Sequence, residues 1–286
     1  MCARPCVGVI GLGLIGGSAA KAFCRAGFRV KGYDRNPTTM RQAFLDGVIE
    51  NRESGWQAWA ESVDWVVMAP PLARVGEWLA AWAAVVHREQ VVVDVSSVKL
   101  PIAGELAALP AHLTPLCLHP MAGRERTGYG ASRADLFDGH VCAVIPVPGR
   151  GEPPQSVVDG VLGAWRMRAV PMDASTHDRV AGLVSHLPYL VSAALLVAAD
   201  REGSDLGQWP TMAGPGFMDT SRVGSSDPSL WNEILQANRD TVVPVLEAYR
   251  QVIESWLSAL RLGCALDGID RAPAVRARAE RGKSCN

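Results

Sequence analysis

The feature that most constrains the fold of this chain is a glycine-rich turn near its N-terminus, with Gly11, Gly13 and Gly16 in the spacing Gly-x-Gly-x-x-Gly. An apolar segment at 7–10 precedes the turn, and good helix formers at 18–26 follow it. In a strand–turn–helix unit the glycines allow a tight turn, close approach of a pyrophosphate to the backbone and close packing of the helix on the strand. The helix N-terminus then presents free N–H groups to phosphate oxygens. The context predicts a dinucleotide site formed by Gly11, Gly13, Leu14, Ile15 and Gly16.

An acidic residue follows the second predicted strand. Asp34 lies 23 residues after Gly11, where a carboxylate accepts hydrogen bonds from the adenosine ribose hydroxyls. Such a carboxylate repels a 2′-phosphate, which favours NAD as the cofactor. Arg35, directly beside it, is a residue type that accepts this phosphate, so NADP remains an alternative. A tight turn without any ligand is the structural alternative for the whole motif.

Apolar segments alternate with helical patterns along the first part of the chain. We predict strands at 7–10, 29–33, 65–69, 91–95, 116–118, 141–145 and 167–171, and helices at 15–26, 37–45, 75–86 and 100–109. This alternation is typical of a parallel sheet with helices on both faces, as in a Rossmann-type doubly wound α/β fold. Continuous apolar runs such as 91–93 fit strands that are buried on both sides.

The pattern changes near Asp173, beyond which no strand is predicted. Long helical patterns cover 177–199 and 229–262, and Pro244 is expected to break or kink the second of them. Long helices with little polar surface often pair subunits, so we expect a homodimer. The sequence therefore predicts a dinucleotide-binding domain at 1–172, an all-α dimerisation and substrate domain at 173–270, and a flexible tail at 271–286.

Charge and cysteine content argue against several classes of function. The chain has 286 residues and a formal net charge of −1, which gives no electrostatic reason to expect nucleic acid as a partner. We identify no charge-free apolar run of about 18 residues, so neither a membrane span nor a membrane partner is expected. The first strand leaves no room for a signal peptide, which indicates a cytoplasmic protein. The 7 cysteines are scattered without zinc-ligand spacing, so reduced thiols and no metal site are expected.

Three polar clusters stand apart from the apolar pattern. Two of them, at 94–99 and 119–123, lie at the ends of predicted strands, and the third, at 185–188, lies in the helical region. Ligands in open α/β sheets bind outside the carboxyl ends of the strands, which places the first two clusters beside the nicotinamide. They read Asp-Val-Ser-Ser-Val-Lys, His-Pro-Met-Ala-Gly and Ser-His-Leu-Pro, and are followed by Asp-Thr-Ser-Arg at 219–222 and Ser-Asp-Pro-Ser-Leu-Trp at 226–231.

Together with the glycine turn, these clusters resemble the motifs of the prephenate/arogenate dehydrogenase family of tyrosine biosynthesis. The likeness runs from about residue 7 to residue 262. Members of that family join a dinucleotide-binding domain to a helical dimerisation domain. The resemblance implies oxidative decarboxylation of prephenate or arogenate with hydride transfer to NAD. The products would be 4-hydroxyphenylpyruvate or tyrosine.

The resemblance also assigns roles to single residues. His119 matches the catalytic histidine, whose imidazole accepts the hydroxyl proton at working pH. Ser97 matches a serine that hydrogen-bonds near the reacting hydroxyl, and His186 matches a histidine of the substrate pocket. Arg222 matches an arginine that pairs with a substrate carboxylate. Each residue also has a structural alternative. His119 could cap the end of a strand, and Ser97 could be a helix N-cap. His186 could be a core histidine and Arg222 a surface arginine.

Three positions depart from the family pattern. Tyr189 stands where relatives often carry histidine, Arg124 where threonine is common, and Met218 where a basic residue can precede Asp219. Tyr189 and Arg124 are candidate substrate-binding residues, and Arg124 or Arg126 is available for a second substrate carboxylate. These departures keep open a dehydrogenase of 4-amino-4-deoxyprephenate. A β-hydroxyacid dehydrogenase or imine reductase shares the two-domain plan, but the His-Pro-Met-Ala-Gly cluster argues against it. A non-catalytic dinucleotide sensor is the alternative outside the enzymes.

Overall fold

The structure is a computed structural model that describes residues 4–52 and 55–284. These residues form two compact units, which divide between Arg239 and Asp240. The first unit carries the sheet and the helices around it. The second unit contains only helices and the turns between them.

A seven-stranded sheet lies at the centre of the first unit, in the order β2-β1-β3-β4-β5-β6-β7. The strands are β1 (Cys6–Ile10), β2 (Arg29–Tyr33), β3 (Trp65–Met68), β4 (Gln90–Asp94), β5 (Leu113–Pro120), β6 (Val141–Ile145) and β7 (Arg168–Pro171). All seven predicted strands are present, and the predicted Rossmann-type doubly wound fold is confirmed. The strand order reverses at β1, between β2 and β3, and ligands bind at such a switch point.

Helices surround the sheet and make up the rest of the chain. The α-helices are α1 (Leu14–Arg25), α2 (Pro37–Leu45), α3 (Gln57–Ala60), α4 (Val75–Ala83), α5 (Leu100–Ala107), α6 (Gln155–Trp165), α7 (Ala174–Ala181), α8 (Leu187–Glu202), α9 (Trp209–Met212), α10 (Pro215–Ser221), α11 (Pro228–Ala237), α12 (Arg239–Arg261) and α13 (Ala272–Ser284). A π-helix, Gly182–His186, joins α7 to α8. Short 3-10 turns cover Leu72–Arg74, Tyr129–Ala131, Arg222–Ser225 and Ile269–Arg271.

Apolar side chains form a core on each face of the sheet. One core includes Phe23 and Trp165, whose ring centroids are 5.6 Å apart. The other includes Trp56 and Trp82, which stack at 5.2 Å. Successive strand residues point to opposite faces, so the continuous apolar runs seen in the sequence supply both cores.

Two strands run against the expected direction. Neighbouring strands from β2 to β5 are parallel, whereas β6 is antiparallel to β5, and β7 is parallel to β6. The expectation of a wholly parallel sheet is therefore wrong for β6 and β7, which both run opposite to the other five strands. The connection at 121–140 contains a 3-10 turn but no α-helix that would carry the chain back across the sheet.

The helical region differs from its prediction at one point. The interruption expected at Pro244 lies instead at Asn238, and α12 runs through Pro244. Asn238 is buried, and its side-chain amide donates to the Asp178 carbonyl at 2.8 Å, which anchors the chain at the break. Helix α13 lies within the segment predicted as a flexible tail, of which residues 285 and 286 fall outside the described residues. The domain divisions after residues 172 and 270 stay predictions.

The helical stretch Ala174–Glu202 contradicts one expectation. It contains an apolar window long enough to cross a membrane, so the expectation that the chain has no such apolar run is wrong. Residues 181–199 indeed contain no Asp, Glu, Lys or Arg. Only 28% of the window is buried within the chain. A single helix of this kind is weak evidence for a membrane segment, because core helices of soluble proteins have the same length and composition.

A buried ion pair ties the carboxyl ends of β4 and β5 together. Asp94 ends β4, and its carboxylate lies 2.5 Å from the Lys99 ammonium, with both side chains fully buried. The ammonium also donates to the Leu118 carbonyl on β5 and to the Ser96 hydroxyl. Burial disfavours the charge on Lys99, but the Asp94 carboxylate together with the Cys117 and Cys142 thiols outweighs burial, so the pKa of Lys99 lies above its ordinary value. The pair fixes the backbone directly before His119.

Replacing Lys99 by methionine removes the cation and keeps most of the side-chain length. Asp94 would then be an unpaired buried carboxylate, so we expect Lys99→Met to lower the free energy of unfolding by about 3–5 kcal/mol. Urea denaturation followed by circular dichroism measures this loss. The control is Arg133→Met, which removes the exposed partner of Asp135 and should leave the unfolding curve nearly unchanged. Equal stability of Lys99→Met and the unaltered chain would contradict the role given to the ion pair.

Candidate active site

The glycine-rich turn joins β1 to α1 at the switch point of the sheet. Gly11 has a φ of +87°, and a Cβ atom there would lie 2.4 Å from the Ala69 carbonyl oxygen. A Cβ atom on Gly16 would lie 1.8 Å from the Gly11 carbonyl oxygen. Both positions therefore require glycine for the turn itself.

Gly13 differs from the other two glycines, because nothing lies within 4 Å of the place its Cβ atom would take. It is the N-cap of α1, and no side chain caps this helix. The N–H groups of the first turn, those of Leu14, Ile15 and Gly16, have no acceptor within the helix. Open space in front of uncapped N–H groups forms a cradle, here called the dinucleotide cradle, that fits a pyrophosphate.

Asp34 follows β2 beside this cradle. Its carboxylate accepts the N–H groups of Leu12 at 2.8 Å and Asn36 at 2.9 Å. These bonds hold the carboxylate at a cleft of about 500 Å³. The cleft is also lined by three arginines, Arg35, Arg41 and Arg52. The structure thus brings the predicted Asp34 and Arg35 together and adds two cations that the sequence analysis did not name.

A chain of three polar side chains lies at the carboxyl end of β5. The Nδ1 atom of His119 lies 2.7 Å from Nε2 of His177, and Nδ1 of His177 lies 2.7 Å from Oδ1 of Asp178. His177 and Asp178 belong to α7 and are buried, whereas His119 is partly exposed. Within residues 4–52 and 55–284, no other group hydrogen-bonds the His119 ring. The Nε2 atom of His119 has no hydrogen-bond partner among these residues, and it is not buried. It therefore reaches solvent.

The surroundings of His119 keep its ring neutral. Burial, the Lys99 ammonium and the imidazoles of His177 and His186 hold the pKa of His119 well below its ordinary value of 6.5. Near pH 7 the ring therefore carries no charge. A neutral imidazole with one unpartnered ring nitrogen at the ligand edge of the sheet is able to act as a base.

Ser97 lies after β4 at the same edge of the sheet and is partly exposed. The alternative that it caps the following helix is wrong, because the N-cap of α5 is Lys99. The capping carboxylate comes from Asp178, which accepts the N–H groups of Lys99 at 2.8 Å and Leu100 at 2.9 Å. Among the described residues the Ser97 hydroxyl makes no hydrogen bond, which leaves it available to a ligand.

His186 and Tyr189 lie further inside. The Asn238 amide lies 3.1 Å from Nδ1 of His186, and burial lowers the pKa of this histidine to about 4. His186 is 1% exposed, which favours the alternative of a core histidine. Tyr189 is buried as well and stacks on Trp231, with 4.0 Å between ring centroids and 6° between planes. The π-helix that ends at His186 is a feature often found at functional sites.

Arg222 is exposed and faces an acidic residue. Its guanidinium lies 3.5 Å from the Glu125 carboxylate, which belongs to the segment after β5. Arg124 and Arg126 flank Glu125 and are exposed. A backbone hydrogen bond and the three arginines lower the pKa of Glu125. The structure therefore brings the predicted Arg222 and Arg124 near one carboxylate.

The site also contains His177, Asp178 and Glu125, which were not predicted from the sequence. A signal for the first two was present, because they share the buried face of α7 with Ala181, where an amphipathic helix usually carries apolar residues. Two adjacent polar residues on such a face indicate a buried hydrogen-bond network. Glu125 offers no such signal, because it lies in an irregular segment without periodicity.

Two family profiles cover most of the chain. The profile described as "Prephenate dehydrogenase, nucleotide-binding domain" matches residues 19–165, and the one described as "Prephenate dehydrogenase, dimerization domain" matches residues 173–263. The chain belongs to the prephenate dehydrogenase family. It therefore carries the two domain types of an oxidoreductase that binds a nucleotide and associates with itself.

Similar proteins agree with this family. The chain is 31% identical over 251 residues to the cyclohexadienyl dehydrogenase of Zymomonas mobilis, covering 85% of the chain and 84% of that protein. It is 28% identical over 250 residues to the prephenate dehydrogenase of Bacillus subtilis, covering 85% and 67%. The prephenate dehydrogenase of A. aeolicus, solved with hydroxyphenyl propionate and NAD+, superposes with a TM-score of 0.86 at 25% identity and 98% coverage of both chains.

The different surroundings of Gly13 and Gly16 predict opposite effects of alanine. Gly13→Ala places a methyl group in open space, so the fold and its thermal unfolding midpoint should be retained while dinucleotide affinity falls about tenfold or more. Gly16→Ala puts its methyl group against the Gly11 carbonyl oxygen and should destabilise the fold. Fluorescence titration with NADH and thermal unfolding measure the two effects. Unchanged affinity in a folded Gly13→Ala variant would show that the pyrophosphate does not use this cradle.

Proposed function

We propose that the chain catalyses the NAD-dependent oxidative decarboxylation of prephenate or arogenate, which gives 4-hydroxyphenylpyruvate or tyrosine. The observation that carries this proposal is a neutral His119 whose Nε2 atom is unpartnered, at the same sheet edge as the dinucleotide cradle. Family membership and the relatives named above support it. A non-catalytic dinucleotide sensor would have no use for such a base.

The residues of this chain divide the chemistry between them. His119 takes the proton of the hydroxyl at C4 of the cyclohexadienol onto Nε2. The dinucleotide cradle and Asp34 would hold NAD, which would supply the acceptor for the hydride from C4. The C1 carboxylate departs as carbon dioxide, and its bonding electron pair makes the ring an aromatic phenolate, to which His119 returns the proton. Aromatisation makes the overall reaction favourable. Ser97 holds the C4 hydroxyl towards His119 by a hydrogen bond from its unpartnered side chain.

The substrate carboxylates need cations, and the exposed arginines supply them. We assign one carboxylate to Arg222, whose planar guanidinium suits a bidentate contact. That carboxylate replaces Glu125, whose present contact with Arg222 is long at 3.5 Å. Arg124 takes the second carboxylate from the same segment. Tyr189, stacked on Trp231, and His186 behind it form the inner wall of the substrate pocket.

A dehydrogenase of 4-amino-4-deoxyprephenate is the second candidate. It is favoured by Arg124 and Tyr189, which stand where the family commonly carries threonine and histidine. The same base and the same hydride acceptor would serve an amine at C4. The two candidates differ only in the group that His119 must deprotonate, so a direct comparison of substrates separates them.

We also propose a homodimer in the cytoplasm. The helical stretch Ala174–Glu202 exposes Leu183, Val184 and Val197, and a second copy of the chain would cover them. The match to a dimerization domain supports this arrangement. Burial raises the pKa values of the Cys117 and Cys142 thiols to about 12, so both stay protonated and unreactive, as in a chain that keeps its thiols reduced.

Initial rates with three substrates and two cofactors test the proposal. Purified protein is given prephenate, arogenate or the 4-amino analogue, each with NAD or NADP, and absorbance at 340 nm is followed. We expect the highest kcat/KM with prephenate or arogenate and NAD. No reduction with either substrate would overturn the proposal, and a strong preference for the amino compound would establish the second candidate.

His119→Asn should lower kcat by about 10²–10⁴-fold and leave the Kd for NAD nearly unchanged, because the base is lost and the cradle is intact. His112→Asn, a matched change before the start of β5, should keep full activity. In the unaltered enzyme the base must be unprotonated, and its pKa lies well below 6.5. Turnover should therefore stay level as pH falls to about 6.5 and decline only below it. Loss of NAD binding in His119→Asn would show that His119 contacts the cofactor.

Asp34→Ser removes the carboxylate that repels a 2′-phosphate and keeps the three arginines of the cleft. We expect the ratio of kcat/KM with NADP to kcat/KM with NAD to rise about tenfold or more. Asp159→Ser, which alters an exposed carboxylate on α6, is the matched control and should leave the ratio unchanged. An equal loss with both cofactors would mean that these arginines do not reach the 2′ position.

A further inference from the structure

We propose that His177 and Asp178 are positioning residues that hold the proton of His119 on Nδ1 and its lone pair on Nε2. The inference rests on the proposed function, because that lone pair is the one that takes the substrate proton. Neither residue is needed to bind the dinucleotide or the substrate. Their effect reaches the reaction only through His119.

The direction of the hydrogen bonds is set at Asp178. Its two carboxylate oxygens accept the backbone N–H groups of Lys99 and Leu100, so the side chain acts as an acceptor. The same Oδ1 atom lies 2.7 Å from Nδ1 of His177, which therefore carries the proton. A neutral imidazole has one N–H group, so Nε2 of His177 carries a lone pair.

The lone pair on Nε2 of His177 in turn determines which nitrogen of His119 carries the proton. Nε2 of His177 is an acceptor, so the 2.7 Å contact requires a proton on Nδ1 of His119. The neutral ring then has its lone pair on Nε2, which is the atom that reaches solvent. The reverse direction would place a proton on Nε2 and leave no base facing the substrate.

The charges around the chain favour the same arrangement at both stages of the reaction. Before proton transfer, burial and the Lys99 ammonium disfavour a second proton on His119. After transfer, the cationic His119 ring remains hydrogen-bonded through His177 to the Asp178 carboxylate. The aspartate of serine-protease triads orients its histidine and stabilises the imidazolium in the same way. Burial of His177 and Asp178 keeps water from competing for these bonds.

Two substitutions of His177 separate positioning from packing. His177→Leu removes the acceptor for Nδ1–H, so kcat should fall about 10²-fold or more, while KM and the Kd for NAD stay within about twofold. His177→Gln retains an acceptor oxygen, so kcat should recover to within about tenfold of the unaltered enzyme. His112→Gln is the matched control and should leave kcat unchanged. Full activity of a folded His177→Leu variant would overturn the proposal.

The protonation pattern itself is measurable without substrate. The chain has 6 histidines, so long-range proton–nitrogen spectra of protein labelled in histidine give a small set of signals, and His119→Asn identifies one of them. At pH 7 we expect the proton of His119 on Nδ1 in the unaltered protein and in His177→Gln. In His177→Leu we expect a mixture of both forms.

A proton found on Nε2 of neutral His119 in the unaltered protein would overturn the inference, whatever the kinetics. If circular dichroism shows that His177→Leu does not fold, the proton–nitrogen spectra of the unaltered protein and of His177→Gln still show which nitrogen of His119 carries the proton. If the enzyme turns over neither prephenate nor arogenate, the proposed function fails while the spectra still test the inference. Normal turnover with the proton on Nε2 refutes the inference alone.

Discussion

The hydrogen bonds of the Asp178 carboxylate position the residues at the edge of the sheet that carries His119. The carboxylate caps α5 through the backbone N–H groups of Lys99 and Leu100, and it accepts the N–H group of His177. Capping fixes the backbone at Lys99. From there the Lys99 side chain reaches the Asp94 carboxylate and the Leu118 carbonyl of β5. His119 is therefore held from two directions, by its own strand through Lys99 and by its ring through His177.

This arrangement places three ionisable groups in the interior within one network. Asp94 and Asp178 bring negative charge and Lys99 brings positive charge, and each is enclosed. Burying charges is costly unless each has partners, and here every one of the three has an ion pair or several hydrogen bonds. The low dielectric that makes such groups costly also keeps a second proton off His119. Structural and chemical demands thus meet in the same few side chains.

The sequence predicted those features that local rules determine. Glycine spacing and apolar runs depend on neighbours within a few residues, and they gave the cradle and all seven strands. The features it missed depend on contacts between distant residues. Lys99 and Leu100 lie 79 and 78 residues from the Asp178 carboxylate that caps them. Ser97 was the alternative candidate for this cap, because a sequence shows only local candidates. The break at Asn238 likewise follows from a bond to a residue 60 positions away.

The reversed strand β6 has a consequence for how this enzyme can change. Because β5 ends and β6 begins at the same edge of the sheet, the whole connection at 121–140 stays on that edge. The later part of this connection is hydrogen-bonded to α1, because the Ser132 carbonyl accepts a hydrogen bond from the Lys21 ammonium. The earlier part contains Arg124 and Glu125. Insertions or replacements in the earlier part alter the surface offered to the ligand without breaking any strand pairing. Selection for a new ring substituent can therefore act on this earlier part while the nucleotide half of the protein stays as it is.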